Sequence, residues 1–141
     1  MRWGFTIPGQ PPSLNRMYRI KEATAKGKTF PTLFKTEQVQ AYQRTARLVI
    51  AASKPSRWRP TEQIRVYYRF YLEREIDCDN IQKALNDTIE LATGINDDRY
   101  LPCVIMKEIV RKKKDARVEV VIEDIVSPSV DLPTWSTIRT P

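Results

Sequence analysis

The order of hydrophobic patterns along the chain predicts an α+β domain, a small mixed β-sheet of about four strands with two helices packed on it, in the order β-α-β-α-β-β after a long early loop. Three observations carry this expectation. One segment, Gln63 to Glu73, alternates apolar and polar residues with a period of two. Two others repeat their apolar residues at helical spacing, and the last third of the chain holds two β-branched runs on either side of a short basic turn.

Residues Gly4 to Ile7 suit a short strand, which Pro8 stops because proline has no N–H for a ladder. From Pro8 to Phe34 no helical or strand period persists, so the segment is expected to be a loop, and a loop of that length is usually functional or mobile. Its cations, Arg16, Arg19, Lys21, Lys26 and Lys28, with Lys35 beside it, suit a phosphate-contacting segment as well as a merely solvated one. Thr36 is placed to cap a helix running to about Ala52, because Val39, Tyr42, Ala46, Val49 and Ile50 fall on one face. Pro55 and Pro60 then enforce a connection.

In the strand that follows, Ile64, Val66, Tyr68, Phe70 and Leu72 alternate with Arg65, Tyr67, Arg69, Tyr71 and Glu73. A second helix is expected over Asn80 to Thr93, with Ile81, Ala84, Leu85, Thr88, Ile89 and Ala92 as its buried stripe. Asp79 is placed as N-cap and Gly94 as the C-terminal stop. Val104 to Arg111 and Arg117 to Ile122 read as strands joined by a tight turn at Lys112 to Asp115, hence an antiparallel hairpin. Residues 1–124 are thus assigned to one domain. Residues 125–141, with Pro128, Pro133 and Pro141, are assigned to an extended or flexible C-terminal extension, on which Trp135 and Ile138 suit docking on a partner surface but more often have no specific role.

A chain of 141 residues that is 41% hydrophobic is long enough to close one core without disulfides. Its 24 lysines and arginines against 17 acids give a net charge of +7, which favours polyanions such as nucleic acid. The absence of histidine removes Ser/His/Asp triads, Cys/His nucleophiles and His-containing zinc sites, so hydrolytic chemistry would rest on carboxylates and lysines. Cys78 and Cys103 are too few for a four-cysteine zinc site and read as small structural side chains in a reducing compartment. No apolar stretch approaches the ~20 residues of a membrane span, and the N-terminus has no signal-peptide pattern, so a soluble, cytoplasmic protein is expected.

The segment that carries chemistry is Asp77-Cys78-Asp79-Asn80-Ile81-Gln82-Lys83, at the exit of the best strand and the start of the second helix. On an extended backbone, carboxylates at i and i+2 point to one side ~7 Å apart and can converge on an ion. Capping of the helix is the alternative, and it explains one aspartate rather than two. Asn96-Asp97-Asp98 follows the helix stop, either as an Asp-rich turn or as a return that brings a third carboxylate, Asp98, towards the first two. Three carboxylates within ~4 to 6 Å repel by several kcal/mol at an effective dielectric of ~20 unless a cation or protonation relieves them. An all-oxygen set suits Mg²⁺, with Mn²⁺ as a substitute, and such ions hydrolyse phosphodiesters without histidine. Lys83, one turn beyond Asp79, suits either charge neutralisation on a scissile phosphate or a surface ion pair with Asp79 or Asp87.

These residues resemble the RusA-type Holliday junction resolvases over roughly Phe5 to Asp124. The matches are Pro11-Pro12-Ser13-Leu14-Asn15 in the early loop, the Asp77 to Lys83 segment, and Asp97-Asp98 after the second helix. The middle match, D-x-D-N-x-x-K followed by a helix, a glycine and an Asp pair, is the specific one. The resemblance implies a homodimeric, Mg²⁺-dependent crossover junction endodeoxyribonuclease that cuts opposed strands of a four-way DNA junction symmetrically in recombination and repair. It implies Asp77, Asp79 and Asp98 as catalytic metal ligands and Lys83 as the essential lysine. Asp97, Asn80 and Asn15 would be auxiliary. The Pro-containing tail and the larger early loop depart from the family pattern.

Symmetric cutting of a two-fold junction calls for two sites related by a two-fold axis. DNA contacts are expected from Arg16, Arg19, Arg69, Arg74, Lys83, Lys112, Lys113 and Lys114, with Arg65, Lys107, Arg111 and Arg117 on or near the same sheet. No base-reading motif is visible, so recognition by DNA shape is expected. Tyr67 and Tyr71 suit stacking on opened bases or ordinary strand packing. Two other readings compete with junction resolution: a nuclease for flaps or forks, and a non-catalytic architectural DNA-binding protein. The second is disfavoured because three clustered acids would repel its ligand.

Overall fold

A computed structural model describes residues 1–13, 18–59, 63–96 and 100–125. In chain order the elements are β1 (Arg2–Pro8), β2 (Tyr18–Ala25), β3 (Lys28–Lys35), α1 (Glu37–Ser53), β4 (Gln63–Leu72), α2 (Cys78–Thr93), β5 (Tyr100–Ile109) and β6 (Arg117–Ile125). The expected α+β class holds, as a mixed four-stranded sheet in the order β1-β6-β4-β5 with both helices packed against it.

The segment with the cleanest alternation, β4, occupies the interior of the sheet. Ile64, Val66, Tyr68, Phe70 and Leu72 are each 0% exposed and face the helices. They meet Trp3, Phe5 and Ile7 of β1, Val118, Val120 and Ile122 of β6, Ala46 and Ile50 of α1, and Ile81, Leu85 and Ile89 of α2. Burial of this continuous apolar face is the main force holding the layers together. Gly4 of β1 is required by close approach, since a Cβ there would stand 2.7 Å from the Val120 carbonyl oxygen. At the sheet's first corner, the Trp58 indole N–H donates to Asp124 Oδ2 at 2.9 Å, and the amino group of Met1 lies 3.6 Å from the same oxygen.

Two expectations about the strands are corrected. The runs after α2 do not form a hairpin with each other: β5 pairs with β4 in parallel, and β6 pairs antiparallel with both β4 and β1. A parallel neighbour needs a long crossover, and the 16 residues of α2 supply it. The connection from β5 to β6 therefore passes the end of β4, where the Val110 N–H donates to the Leu72 carbonyl at 2.8 Å. The early segment is likewise not a featureless loop, because β2 and β3 form a separate antiparallel ribbon. Lys26 and Gly27 turn it with φ of 52° and 74°, the paired positive values of a tight hairpin turn that suits the strands' twist.

The helix termini follow side-chain chemistry. Thr36 caps α1, its Oγ1 accepting from the Val39 N–H at 3.5 Å. Gly94 ends α2 in the left-handed conformation, φ 74°, as expected of a glycine stop. The α2 N-cap is Asp77 rather than Asp79, which falls in the first turn. Among the described residues no helix is long and apolar enough to cross a membrane. Cys78 and Cys103 are half-buried and form no disulfide among the described residues.

Candidate metal centre and nucleic-acid interface

Asp77 and Asp79 stand where β4 hands the chain to α2. The intervening residues are tied on two sides. Gln10 Oε1, in the loop after β1, accepts from the Glu73 N–H at 2.7 Å, while the Gly9 N–H donates to the Ala116 carbonyl at 2.8 Å. From β5, Lys107 Nζ donates to Glu75 and, at 3.4 Å, to the Ile76 carbonyl next to Asp77. The Glu75 hydrogen bond raises the Lys107 pKa above its usual value, and the charge of Asp77 adds to the effect.

The Asp77 backbone is extended, φ −63° and ψ 133°, but its side chain makes no capping hydrogen bond. Asp79 sits two residues on, inside the helix, so the two carboxylates share the positive end of α2 rather than one side of a strand. Both are exposed. The Asn80 N–H donates to the Asp77 carbonyl at 3.0 Å, which closes the first turn. The stripe Ile81, Ala84, Leu85, Thr88 and Ile89 is buried, leaving Lys83 exposed a turn beyond Asp79. Among the described residues Lys83 forms no ion pair, with Asp79, Asp87 or any other acid.

Asn15, Arg16, Asp97 and Asp98, and the side chain of Arg19, lie outside the described residues. Among the described residues no group of three potential metal ligands forms. The residues flanking Asp97 and Asp98 are placed, and their position matters. Tyr100 pairs with Ile64 at the start of β4, whereas Asp77 follows Leu72 at its end, where the partner is Ile109. The two ends are also separated by the 16 residues of α2, a rise of about 24 Å.

Of the basic residues, Arg74, Lys113 and Lys114 line one open cleft of about 520 Å³ together with Gln10 and Glu73. Lys112 is exposed on the same β5–β6 connection, and Arg74 lies three residues before Asp77. The face of the sheet away from the helices is occupied differently. Arg69 and Arg117 both approach Glu119, at 3.6 and 3.3 Å, and Arg117 lies over the Tyr71 ring at 3.8 Å. Arg2 and the Tyr67 hydroxyl donate to Glu123 at 2.6 and 2.8 Å, and Arg65 donates to that hydroxyl at 3.3 Å. Burial raises the Tyr67 pKa, and Tyr67, only 6% exposed, is a packing residue. The packing alternative for Tyr67 and Tyr71 is therefore the one realised.

The anchoring roles of Gln10 and Lys107 were not anticipated. Lys107 carried only its charge as a signal. Gln10 carried none beyond its place before the Pro11-Pro12 pair.

Among solved structures, the chain is matched to the 2C-methyl-D-erythritol 2,4-cyclodiphosphate synthase of Plasmodium vivax at 12% identity over 86% of this chain and 93% of that one, with a TM-score of 0.33. A likeness that weak carries no argument. No curated protein matches the chain. The model of the family described as endodeoxyribonuclease RusA matches residues 8–123, which span the ribbon, both helices, β4, β5 and most of β6, and include only Pro8 of β1. With the Asp77 to Lys83 segment placed at the head of α2, the chain belongs to the RusA endodeoxyribonuclease family.

Proposed function

We propose that the protein is a Mg²⁺-dependent endodeoxyribonuclease that resolves Holliday junctions, cutting opposed strands of four-way DNA symmetrically as a homodimer in cytoplasmic recombination and repair. The observation that carries the reading is the Asp77–Asp79 pair. Two exposed carboxylates share the end of α2, and the one at the N-cap is not used as a cap. An oxygen-only donor pair without histidine fits a hard divalent cation, Mg²⁺ or in its place Mn²⁺. When bound, that ion supplies a polarised phosphodiester and a more acidic water. Asp77 and Asp79 hold it, and Lys83, on the exposed side of the same helix, neutralises charge on the phosphate undergoing attack. Arg74, Lys112, Lys113 and Lys114 draw the flanking strand into the cleft beside Glu73.

Asp98, with Asp97 as auxiliary, completes the set from the second subunit. Two residues of chain reach at most about 7 Å from Tyr100. The paired length from Tyr100 to Ile109 is several times that, which supports a second copy as the source of Asp98. A two-fold dimer that sets the α2 head of one copy against the α2 tail of the other builds two identical sites, as symmetric cleavage requires. Asn80 and Asn15 are supporting residues of this site.

The test is cleavage of a synthetic four-way junction with and without Mg²⁺, alongside Asp79→Asn. Cleavage that needs the metal and disappears in the variant is expected. Full activity of Asp79→Asn, or activity in excess chelator, would reject the reading.

A further inference from the structure

The last turns of the two helices meet in an open groove that the candidate metal centre does not use. Leu48 and Ala51 of α1 and Leu91 and Ala92 of α2 line it together with Arg44 and Arg47, around a volume of about 450 Å³. Leu48 is 74% and Leu91 54% exposed. Arg44, Leu48 and Ala51 recur at helical spacing, so one stripe of α1 presents both apolar surface and a cation. Among the described residues neither arginine takes part in an ion pair. Two open leucines across one groove are an unfavourable surface without something to cover them.

The groove lies at the corner of the sheet where β6 ends. Trp58, five residues past α1, donates its indole N–H to Asp124 Oδ2 at 2.9 Å. On the α2 side, seven residues lead from Thr93 to Tyr100, which pairs with Ile64, and the neighbouring Gln63 pairs with Ile125. Ala51 is seven residues from Trp58, at most about 25 Å of chain. The ten residues from Ile125 to Trp135 reach about 33 Å.

Residues 126–141 lie outside the described residues, and their composition complements the groove. Val130, Leu132, Trp135 and Ile138 are apolar, and Asp131 is the one charged residue between Ile125 and Arg139. Pro128 and Pro133 each fix a φ angle, which reduces the entropy lost on ordering.

We propose that this tail folds back onto its own chain's groove, Leu132 and Trp135 covering Leu48 and Leu91 while Asp131 faces Arg44 and Arg47. Connectivity favours this occupant, because a short tether holds the segment at an effective concentration on the order of 1 mM. Charge argues against a second copy's groove as the cover, since facing grooves would set their arginines together. The inference does not depend on the proposed nuclease activity.

The test uses the full chain and reads Trp135 in two ways. Trp135 is one of three tryptophans, and Trp3 and Trp58 are 7% and 2% exposed, so acrylamide quenching of the emission reports Trp135. Chymotrypsin cleavage after Trp135, followed by mass spectrometry of the released peptide, reports the same segment as a rate. Wild type is compared with L48E, R44E/R47E and R44E/R47E/D131R, each with a thermal melt to verify folding. L48E is expected to speed cleavage about tenfold, the contribution of one covered leucine, and to open Trp135 to acrylamide. R44E/R47E should speed it about threefold to tenfold, and adding D131R should return the rate to within about twofold of wild type, which separates a lost contact from a loosened fold.

Cleavage of L48E within about twofold of wild type, with Trp135 equally open in both, would overturn the proposal and leave the groove to another partner. Failure of D131R to restore protection would also overturn it. So would protection that falls on roughly hundredfold dilution, which would make a second copy the source of the tail.

Discussion

The proposed subunit-spanning site makes a quantitative prediction for mixed dimers. Asp79→Asn and Asp98→Asn should each be inactive as homodimers, because every site then lacks one carboxylate. In a dimer with one copy of each variant, one site combines both lesions and the other combines neither. Random pairing yields about half mixed dimers, so about one quarter of all sites should be intact. The expectation rests on the α2 rise of about 24 Å, which separates the two ends of that helix. The assay is single-strand nicking of a four-way junction after the two variants are co-refolded or co-expressed. Recovery of roughly a quarter of wild-type nicking is expected, without recovery of paired symmetric cuts, because each mixed dimer has one working site. No nicking above the background of the separate variants would refute the arrangement and return Asp98 to its own subunit's site.

Other consequences follow from the packing and the anchoring contacts. Leu85, 0% exposed beneath α2, should cost about 2 to 5 kcal/mol when cut to alanine, whereas Leu91, 54% exposed, should change urea midpoints little when cut in the same way. Lys107→Met removes the tie to Glu75 and the Ile76 carbonyl, so junction cleavage should fall about tenfold to a hundredfold while metal-free DNA binding holds, and unchanged cleavage would sink the anchoring role. For Glu123, burial opposes ionisation, but hydrogen bonds from Arg2 and Tyr67 outweigh it and lower the pKa below its ordinary value of 4.5. A lowered carboxylate pKa stabilises the fold above its unfolded value, and that stabilisation is lost as pH falls through the folded value. Thermal melts of Glu123→Gln should therefore fall below wild type at neutral pH and converge with it as pH falls through the lowered value of the folded carboxyl.

Much of the fold was legible because period and chemistry agree. The alternation of β4 marks the strand whose helix-facing side is fully buried, and the α2 stripe from Ile81 to Ile89 lies where its spacing puts it. The partners of β5 and β6 are not legible in the sequence, because alternation specifies which face of a strand is buried, not which neighbour it takes. The ribbon escaped notice for local reasons. Its turn uses Lys26 at a positive φ more usual for Asn, Asp or Gly, and Pro31 interrupts the pattern of β3.

At the candidate site, the residue types and spacing of Asp77, Asp79 and Lys83 were readable because few other arrangements account for them. The helix start was set two residues late, since either aspartate satisfies a capping rule from sequence alone. Lys107 and Gln10 could not be found the same way. Each acts through a contact spanning tens of residues, and no short motif records it.

The convergence of the Met1 amine and the Trp58 indole on Asp124 has a practical consequence. Arg2 pairs with Glu123, and Gln63 with Ile125, so residue 1 and residue 125 leave the sheet at one corner. Asp77 follows the opposite end of β4. An affinity handle or fluorophore appended at the N-terminus thus departs from the far side of the molecule, leaving the α2 head open.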